Sequence, residues 1–456
     1  MPGYVEDTIA ALATPPGTGA VAVLRVSGSD ARAVAGRVLR RRGLDRPPAF
    51  ESHRARVAVL VDPASRAPID EVLVLPMLAP RSFTGEDVIE IHCHGSVLIA
   101  DRGLRALLAS GARAARPGEF TERAFLNGRL DLCQAEAVAD LVEASSDAGR
   151  VAAWRQLEGA LSRAIAALHE QLLDLRALVE AHLDFPEDDL PPEAEAEIAG
   201  GLDAVRRDVA GLVATFDRGR LAREGLRVVL LGKPNVGKSS LLNAILGRER
   251  ALVSPQPGTT RDYLEEPAAV GDLRILLLDT AGVRPDPDAI ERDGIRRTLD
   301  VAATADVVVV VLDRSRPLDD EDAAVLATAT RRPHVVVRNK ADLPEAWAAE
   351  DRMLDVSARS GSGLSGLASR LRAALPGGHP EPDEEPVLVT RARHHEALVA
   401  CAASAERARL ALEARAGLEL VACELQDGVL ELERLLGRTD ADELLDRIFR
   451  RFCIGK

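Results

Sequence analysis

Short apolar runs separated by Pro/Gly turns fill the first quarter of the chain. Runs rich in valine and isoleucine are typical of β-strands, and they occur at Ala20–Val26, Val57–Val61, Val72–Leu75 and Val88–Cys93. Amphipathic spacing predicts two helices in the same region, at Asp30–Arg42 and Val97–Ser110. The sequence therefore predicts an α/β (α+β) domain over residues 1–120.

Helical periodicity replaces this pattern from Thr121 onwards. Apolar side chains recur at helical spacing to about His182, and a further helix extends to about Leu221 after an acidic, proline-containing stretch at 185–192. Residues 379–456 have the same periodicity. We interpret 121–222 and 379–456 as the two parts of one discontinuous all-α helical domain.

Between these parts, continuous apolar strands alternate with helical stretches. The strands are predicted at Val228–Leu231, Ile275–Leu278, Val307–Leu312 and Val335–Val337. Strands that are apolar throughout belong to a parallel sheet that is buried on both faces. Residues 223–378 are therefore predicted to form an α/β domain inserted into the helical one, with a Pro/Gly-rich linker at its end.

Charge and composition exclude several classes of protein. The 456 residues carry a formal net charge of −14, with 72 acidic residues against 58 basic ones. This excess of acidic residues argues against a protein that binds nucleic acid by bulk electrostatic attraction, which needs many basic residues. We find no apolar stretch of the ~18 residues that span a bilayer and no signal-peptide pattern, so we expect a cytoplasmic protein without membrane contact. Five cysteines without a CxxC pair predict thiols rather than disulfides or a zinc site.

The strongest motif is Gly232–Ser239, which fits G-x(4)-G-K-[ST] between a predicted strand and a predicted helix at Ser240–Leu246. Glycines let successive backbone N–H groups surround a β-phosphate, and the helix N-terminus adds partial positive charge. Lys238 is expected to reach the β- and γ-phosphates, and the Ser239 hydroxyl is expected to bind Mg²⁺. The motif predicts a binding site for a nucleoside triphosphate.

Three further motifs follow in the order that a GTPase needs. Asp279–Gly282 ends one predicted strand, where it can hold a Mg²⁺-bound water and sense the γ-phosphate. Asn339–Asp342 ends another, and Asp342 can accept hydrogens from N1 and N2 of guanine, which adenine lacks. Ser357–Ala358 follows a third. These motifs predict GTP as the ligand and a Ras-like α/β P-loop G domain.

The loop between the first two motifs and the segment after the second suggest how hydrolysis proceeds. Thr260 can supply a second hydroxyl to Mg²⁺, whereas Val283 stands where many GTPases have a water-orienting Gln. We hypothesise that Asn235 and the loop Ser254–Thr260 hold a monovalent cation and that Glu291 positions the water. The alternatives are a local turn hydrogen bond for Asn235 and a plain helix-surface carboxylate for Glu291.

The nucleotide motifs resemble those of the tRNA modification GTPase family known as MnmE or TrmE, and so do five stretches outside them: Ala13–Gly17, Ser82–Asp87, Arg116–Phe125, Leu130–Leu132 and Cys453–Lys456. The resemblance implies a folate-binding N-terminal domain that also dimerises. It implies potassium-stimulated GTP hydrolysis coupled to G-domain dimerisation, and a homodimer that forms a heterotetramer with an FAD-containing partner. It also implies tRNA as substrate, with a 5-aminomethyl or 5-carboxymethylaminomethyl group formed on the wobble uridine from a 5-formyl- or methylene-tetrahydrofolate donor.

The resemblance also implies roles for individual residues. Glu291 and Lys238 are the expected catalytic residues, and Ser239 and Thr260 the expected Mg²⁺ ligands. K⁺ is expected at Asn235, Ser254, Gln256 and Thr259. Folate is expected at Arg25, Glu90, Arg129 and Lys456. The full set expected to contact GTP comprises Asn235, Val236, Gly237, Lys238, Ser239, Ser240, Ser254, Gln256, Pro257, Gly258, Thr259, Thr260, Asp279, Thr280, Ala281, Gly282, Asn339, Lys340, Asp342, Ser357, Ala358 and Arg359.

Other readings of the residues remain open at this point. A ribosome-assembly GTPase that binds RNA without modifying it would share the nucleotide motifs. The thiol of Cys453 can be a nucleophile, a redox group or a small tail residue. Glu90, His92 and His94 alternate along one predicted strand and would present three metal ligands, but no fourth ligand is evident.

Overall fold

The computed structural model describes residues 7–183, 191–249, 265–270, 273–278, 305–330, 332–375, 387–438, 442–450 and 452–456. The chain divides into two compact units. The first comprises Met1–Val142, Gln156–Val209 and Ala397–Lys456, and the second comprises Glu143–Arg155 and Ala210–Glu396. The predicted domain boundaries at 120, 222 and 378 stay predictions, and the last of them lies outside the described residues.

A seven-stranded sheet forms the centre of the N-terminal part of the first unit. Its strands are β1 (Ile9–Leu12), β2 (Val21–Ser27), β3 (Leu39–Arg40), β4 (Arg56–Val61), β5 (Pro68–Met77), β6 (Val88–His94) and β7 (Arg113–Ala114). They lie in the order β3-β4-β5-β6-β2-β1-β7, and neighbours are antiparallel except for β1 and β7. Helices α1 (Ala31–Val38) and α2 (Val97–Ala109) cover one face. Leu24, Val26 and Leu107 belong to the core between them.

The first predicted helix was too long. It ends at Val38 rather than Arg42 because Leu39 and Arg40 pair with Leu60 and Val59 as strand β3. The pairing buries Leu39 completely, which outweighs the local helical spacing. The four predicted strands are confirmed, each within a few residues of its predicted ends.

The helices that follow are α3 (Glu119–Leu126), α4 (Leu132–Glu143), α5 (Asp147–Leu157), α6 (Ala160–Leu183), α7 (Pro192–Val213) and α8 (Phe216–Glu224). Near the end of the chain lie α12 (Ala392–Glu413), α13 (Leu418–Leu436) and α14 (Asp442–Phe449). In the first unit α6 packs along α13, although about 250 residues separate them in sequence. A side chain at Gly428 would place its Cβ 3.3 Å from Leu172, so a small residue lets the two helices approach closely.

The second unit contains a six-stranded sheet in which one edge strand, Glu265–Val270, is antiparallel and the other described strands are parallel. Its strands are β8 (Leu226–Leu231), β9 (Glu265–Val270), β10 (Leu273–Leu278), β11 (Val307–Asp313), β12 (His334–Asn339) and β13 (Met353–Asp355), in the order β13-β12-β11-β8-β10-β9. Helices α9 (Lys238–Glu249), α10 (Asp320–Ala329) and α11 (Leu364–Ala374) alternate with the strands.

Every residue of β11 is buried, and apolar clusters lie on both faces of this sheet. The predicted fold class is thereby confirmed: an N-terminal α/β (α+β) domain, a discontinuous helical domain and an inserted α/β P-loop domain. The carboxyl ends of β8, β11, β12 and β13 meet at one edge, where ligands bind in open parallel sheets. No helix in the described part of the chain is both long and apolar enough to cross a bilayer.

Candidate functional site

The loop from Gly232 to Gly237 joins the end of β8 to the start of α9. A Cβ at Gly232 would lie 2.4 Å from the carbonyl oxygen of Val311, and one at Gly237 would lie 2.3 Å from Nδ2 of Asn339. Neither position can accept a side chain without moving its neighbour. Asn235 is exposed and has a left-handed backbone with φ of 65°. The loop thus has the tight, glycine-dependent form that the motif requires.

Lys238 lies in the first turn of α9, and its ammonium group points back into the loop. It donates hydrogen bonds to the carbonyl oxygens of Gly232 at 2.6 Å and Lys233 at 2.8 Å. Burial lowers the pKa of Lys238. A half-buried cation whose partners among the described residues are neutral carbonyls is well placed to favour an anionic ligand. Ser239 and Ser240 follow it and are exposed.

Lys233 anchors the same loop from its other side. Its Nζ lies 2.5 Å from Oδ2 of Asp319 and 2.8 Å from Oδ2 of Asp322. Asp319 also caps α10 by accepting hydrogen bonds from the N–H groups of Glu321 and Asp322. The loop Gly232–Gly237, which we call the phosphate loop, is therefore fixed to the N-terminus of α10. Sequence reasoning did not identify this contact, although Lys233 is one of only four lysines in the sequence, which is a signal for it.

The side chain of Asn339 joins the phosphate loop to the two predicted base-binding loops, which are Asn339–Asp342 and Ser357–Arg359. Its Nδ2 donates to the carbonyl oxygen of Val236 at 2.9 Å, and its Oδ1 accepts from the N–H of Ala358 at 3.0 Å. The side chain is almost fully buried. Three segments that are distant in sequence are thus fixed together at the carboxyl edge of the second sheet.

Lys340 and Asp342 follow Asn339, and a side-chain hydrogen bond positions each of them. Lys340, with a left-handed φ of 66°, donates to Oδ2 of Asp313 at 2.6 Å. Burial by itself raises the pKa of Asp313, but hydrogen bonds from Lys340 and Ser315 more than offset it, so this pKa is lowered. Asp342 accepts a hydrogen bond from the Ser357 hydroxyl, which lowers the pKa of Asp342. Both carboxyl groups are therefore kept ionised.

The structure brings together the described members of the predicted GTP set, namely Asn235, Val236, Gly237, Lys238, Ser239, Ser240, Asn339, Lys340, Asp342, Ser357, Ala358 and Arg359. The remaining predicted members lie outside the described residues, namely Ser254, Gln256, Pro257, Gly258, Thr259, Thr260, Asp279, Thr280, Ala281 and Gly282. The predicted catalytic residue Glu291 also lies outside them.

A second constellation lies in the first unit, around Arg25 on β2. Arg25 and Glu90 are cross-strand partners, and the guanidinium donates to Oε1 of Glu90 at 2.9 Å. Its Nη1 also donates to the carbonyl oxygen of Gly455 at 3.0 Å, and the guanidinium lies 5.5 Å from the centre of the Phe120 ring. Burial and the charge of Arg25 together lower the pKa of Lys456.

The tail Cys453–Lys456 is held against the start of α3 by its backbone. The N–H of Phe120 donates to the carbonyl oxygen of Lys456, and that of Gly118 donates to the carbonyl oxygen of Cys453. A Cβ at Gly455 would lie 2.3 Å from the carbonyl oxygen of Leu12, so the tail also approaches β1 closely. Cys453 itself is exposed. Three of the four predicted folate residues thus meet here, and the fourth, Arg129, is exposed and lies beside Gly85.

Next to Arg25, a buried ionic cluster fixes α3 to the sheet. Arg123 pairs with Asp7 at 2.5 Å, with Glu86 at 3.1 Å and with Glu119 at 3.2 Å. Glu86 also accepts from the Ser27 hydroxyl at 2.6 Å, and Ser27 is two residues from Arg25 on β2. Sequence reasoning assigned no role to this cluster, although Glu86 lies in the stretch Ser82–Asp87 and Glu119 and Arg123 lie in Arg116–Phe125, two stretches that carried the family resemblance.

The predicted alternation of Glu90, His92 and His94 does not produce a metal centre. His94 bonds Asp70 at 2.7 Å, and His92 lies 3.3 Å from Glu90. Within the described ranges no group of three or more His, Cys, Asp and Glu is placed to hold a metal ion. The five cysteines all lie in described segments and form no disulfide there.

Comparison with known proteins covers the whole chain. The family model described as MnmE helical domain matches residues 132–453, and that described as GTP-binding protein TrmE N-terminus matches residues 8–129. The chain belongs to the MnmE (TrmE) family. Proteins called tRNA modification GTPase MnmE are 43% identical in Geobacter sulfurreducens and 44% identical in Moorella thermoacetica. Each match covers 99% of this chain and 100% of the relative.

Membership of the MnmE family confirms the resemblance of the sequence motifs. Both regions outside the inserted sheet match MnmE models, which a GTPase that shares only the nucleotide motifs would not do. The ribosome-assembly alternative therefore has no support beyond the motifs that all these GTPases share. The site in the second unit and the Arg25 constellation in the first are the two places where this family's chemistry is to be sought.

Proposed function

We propose that this chain binds and hydrolyses GTP and uses the hydrolysis cycle to modify the wobble uridine of certain tRNAs. The observation that carries the proposal is the pair of hydrogen bonds made by Asn339, which joins the phosphate loop to both predicted base-binding loops. A site built in this way suits one ligand that carries phosphates at one end and guanine at the other. The relatives named tRNA modification GTPase MnmE support the coupling to tRNA.

The phosphate loop supplies the contacts to the triphosphate. Its backbone N–H groups and Lys238 would bind the β- and γ-phosphates, and guanine would lie against Asp342, the stem of Lys340 and the loop at Ala358. The exposed hydroxyl of Ser239, just after the loop, suits a Mg²⁺ ligand, with Thr260 as the second protein ligand. Mg²⁺ would neutralise phosphate charge at this place.

The absence of a Gln at Val283 leaves the chain to orient water with another residue, and we assign that role to Glu291. Asn235 suits a K⁺ ligand because it is an exposed amide in the phosphate loop whose left-handed backbone is unusual for a residue other than glycine. Ser254, Gln256 and Thr259 would complete the K⁺ site. A monovalent cation there would supply positive charge in place of an arginine finger.

The Arg25 constellation suits a tetrahydrofolate derivative, either 5-formyl- or methylene-tetrahydrofolate. Glu90 is 14% exposed and holds its carboxylate between Arg25 and His92, so it can accept hydrogen bonds from the amino-pyrimidine edge of a pterin. Arg25, Arg129 and Lys456 would add cationic contacts. Cys453 lies exposed in the same tail, and we propose a chemical role for its thiol.

The sheet face opposite α1 and α2 supports a homodimer. Val57 and Leu73 are register partners on this face, and 53% and 41% of their surfaces are exposed. Apolar residues that meet across neighbouring strands and stay exposed are typical of an interface. We propose that the homodimer further assembles with an FAD-containing protein into a heterotetramer and acts in the cytoplasm, where tRNA is modified.

The proposal is tested by nucleoside analysis of tRNA from a strain whose only copy of the gene encodes Lys238→Ala. Mass spectrometry is expected to find 5-carboxymethylaminomethyl- and 5-aminomethyl-uridine derivatives with the wild-type gene and a loss of them with the variant. A matched control, Arg352→Met, changes an exposed basic residue of the second unit and is expected to retain the modification. Full modification in the Lys238→Ala strain would contradict a GTP-driven reaction.

A further inference from the structure

Arg338 is a charged residue in the interior of the second sheet. It precedes Asn339 on β12, and only 2% of its side chain is exposed. Burial of a guanidinium is unfavourable unless a charged partner and several hydrogen bonds satisfy it. The contacts of Arg338 therefore indicate which parts of the fold it holds together.

The guanidinium binds two segments that follow β12 in the chain. Its Nε and Nη2 donate to the two carboxylate oxygens of Asp355 at 2.6 Å and 2.8 Å, and the two residues are register partners on β12 and β13. Its Nη1 donates to the carbonyl oxygen of Trp347 at 2.8 Å, and its carbon lies 4.9 Å from the centre of the indole ring. A paired hydrogen bond of this kind fixes orientation as well as distance.

Both segments lead directly to groups that would contact guanine. Asp355 is two residues before Ser357, whose hydroxyl donates to Asp342 at 2.7 Å. On the other side, the indole N–H of Trp347 donates to the carbonyl oxygen of Asp313 at 3.1 Å, and the Asp313 carboxylate accepts from Lys340. Among the described residues, the Arg338 side chain contacts Asp355, Trp347 and Glu345 and none of the groups predicted to face the base.

We propose that Arg338 is a positioning residue for guanine discrimination, holding β12 and β13 in register so that Asp342 meets the N1 and N2 hydrogens of the base. The inference rests on the proposed binding of GTP. A buried ion pair is weak evidence for stability, because apolar side chains of similar volume often replace one at little cost. Its two-point geometry, in contrast, is what a base-recognition loop needs.

The test compares GDP with inosine diphosphate (IDP) on the full-length protein by titration calorimetry. IDP lacks the 2-amino group, whose hydrogen bond Asp342 would accept. The dissociation constant of IDP divided by that of GDP therefore reports on Asp342, while the phosphate contacts cancel. In Arg338→Met this ratio is expected to fall by about tenfold, the scale of one hydrogen bond to a charged acceptor. Arg338→Lys is expected to lower it nearly as much, because an ammonium cannot make the paired contact.

Arg352→Met is the matched control, since Arg352 is an exposed arginine of the same unit. It is expected to leave the ratio unchanged. If Arg338→Met weakens GDP and IDP equally, or leaves both as in the wild type, the positioning role is wrong. Where Arg338→Met does not fold, Asp355→Asn decides, because Asp355 is 39% exposed and Asn keeps its shape; an unchanged ratio there overturns the inference.

Failure of the proposed function would look different in the same experiment. If the wild-type protein binds GDP no more tightly than IDP or ADP, the site does not recognise guanine and the proposal of GTP binding fails. If the wild type discriminates and the Arg338 and Asp355 variants discriminate equally well, only the role of Arg338 is refuted.

Discussion

The hydroxyl of Ser357 donates a hydrogen bond to Oδ1 of Asp342 at 2.7 Å, although the two residues belong to different loops. This bond leaves the other carboxylate oxygen of Asp342 available to a ligand and lowers the pKa of the group. Together with the contact between Asn339 and Ala358, it makes the two loops one surface. The specificity of the site for a purine base should therefore depend on the charge of Asp342.

Removal of the negative charge of Asp342 should change which purine base the site prefers. In Asp342→Asn the amide N–H can donate to the 2-oxo group of xanthine, whereas the 2-amino group of guanine loses its acceptor. We expect GDP to bind about a hundredfold more weakly and xanthosine diphosphate to bind more tightly than in the wild type. Titration calorimetry with both nucleotides measures this. Asp351→Asn, at an exposed position of the same unit, should change neither, and unaltered GDP affinity in Asp342→Asn would refute the assignment.

Lys238 should be irreplaceable even by another cation. Lys238→Ala removes the ammonium that lies over the loop carbonyls, and GTP affinity is expected to fall about a hundredfold or more. Lys238→Arg keeps the charge, but the planar guanidinium is too large for two carbonyls at 2.6 Å and 2.8 Å, so it should not restore binding. Equilibrium binding of a fluorescent GTP analogue measures both variants. Recovery in Lys238→Arg would show that charge alone is sufficient.

The buried cluster around Arg123 should contribute to stability, with a defined pH dependence. Burial by itself raises the pKa of Glu119, but hydrogen bonds from Arg113 and the N–H of Arg116 more than offset it, so the pKa is lowered from 4.5. Because ionised Glu119 is favoured in the folded state, its contribution is complete above pH 4.5 and is lost as the pH falls through the folded-state pKa. Glu119→Gln should lower the free energy of unfolding by about 3 kcal/mol at pH 7.

Chemical denaturation at pH 7 and below pH 4 measures this difference, which should shrink at the lower pH. Glu122→Gln on the same helix is the control. Burial raises the pKa of Glu122, so its ionised form is disfavoured in the folded state and its replacement should cost little at neutral pH. An equal loss of stability in both variants would show that the hydrogen bonds of Glu119 are not the cause.

Folate binding should depend on the carboxylate of Glu90. Glu90→Gln replaces an acceptor with a group that offers a single carbonyl oxygen, already claimed by Arg25. We expect the affinity for 5-formyltetrahydrofolate to fall by at least about tenfold, as measured by titration calorimetry. Glu71→Gln alters an exposed carboxylate on the same sheet and should have no effect. Unchanged affinity in Glu90→Gln would place the folate elsewhere.

Much of the fold follows from local pattern. The central strands of the second sheet each contain a continuous apolar run and are flanked by helices, so their positions and parallel arrangement were predictable from the sequence. Short edge strands were not. β3 has two residues, and its pairing with Leu60 and Val59 ended a helix that its own spacing would have continued. Such elements depend on partners elsewhere in the chain rather than on their own residues.

The candidate site was predictable where its chemistry has a fixed spacing. Gly232–Ser239 and Asn339–Asp342 are motifs because each would contact the proposed nucleotide from one continuous segment. Arg338 and Arg123 carry no such signal. Each is one of 54 arginines in the sequence, and their importance arises from burial beside carboxylates that are distant or only loosely spaced in the chain. Tertiary packing, which the sequence pattern does not encode locally, places them.

The most direct test of the account is the rate of GTP hydrolysis by the purified protein in potassium chloride and in sodium chloride at equal ionic strength. With a K⁺ ligand at Asn235, hydrolysis should be at least about tenfold faster in potassium, and Asn235→Ala should be slow in both salts. Equal rates of the wild type in the two salts, or full potassium stimulation in Asn235→Ala, would contradict it.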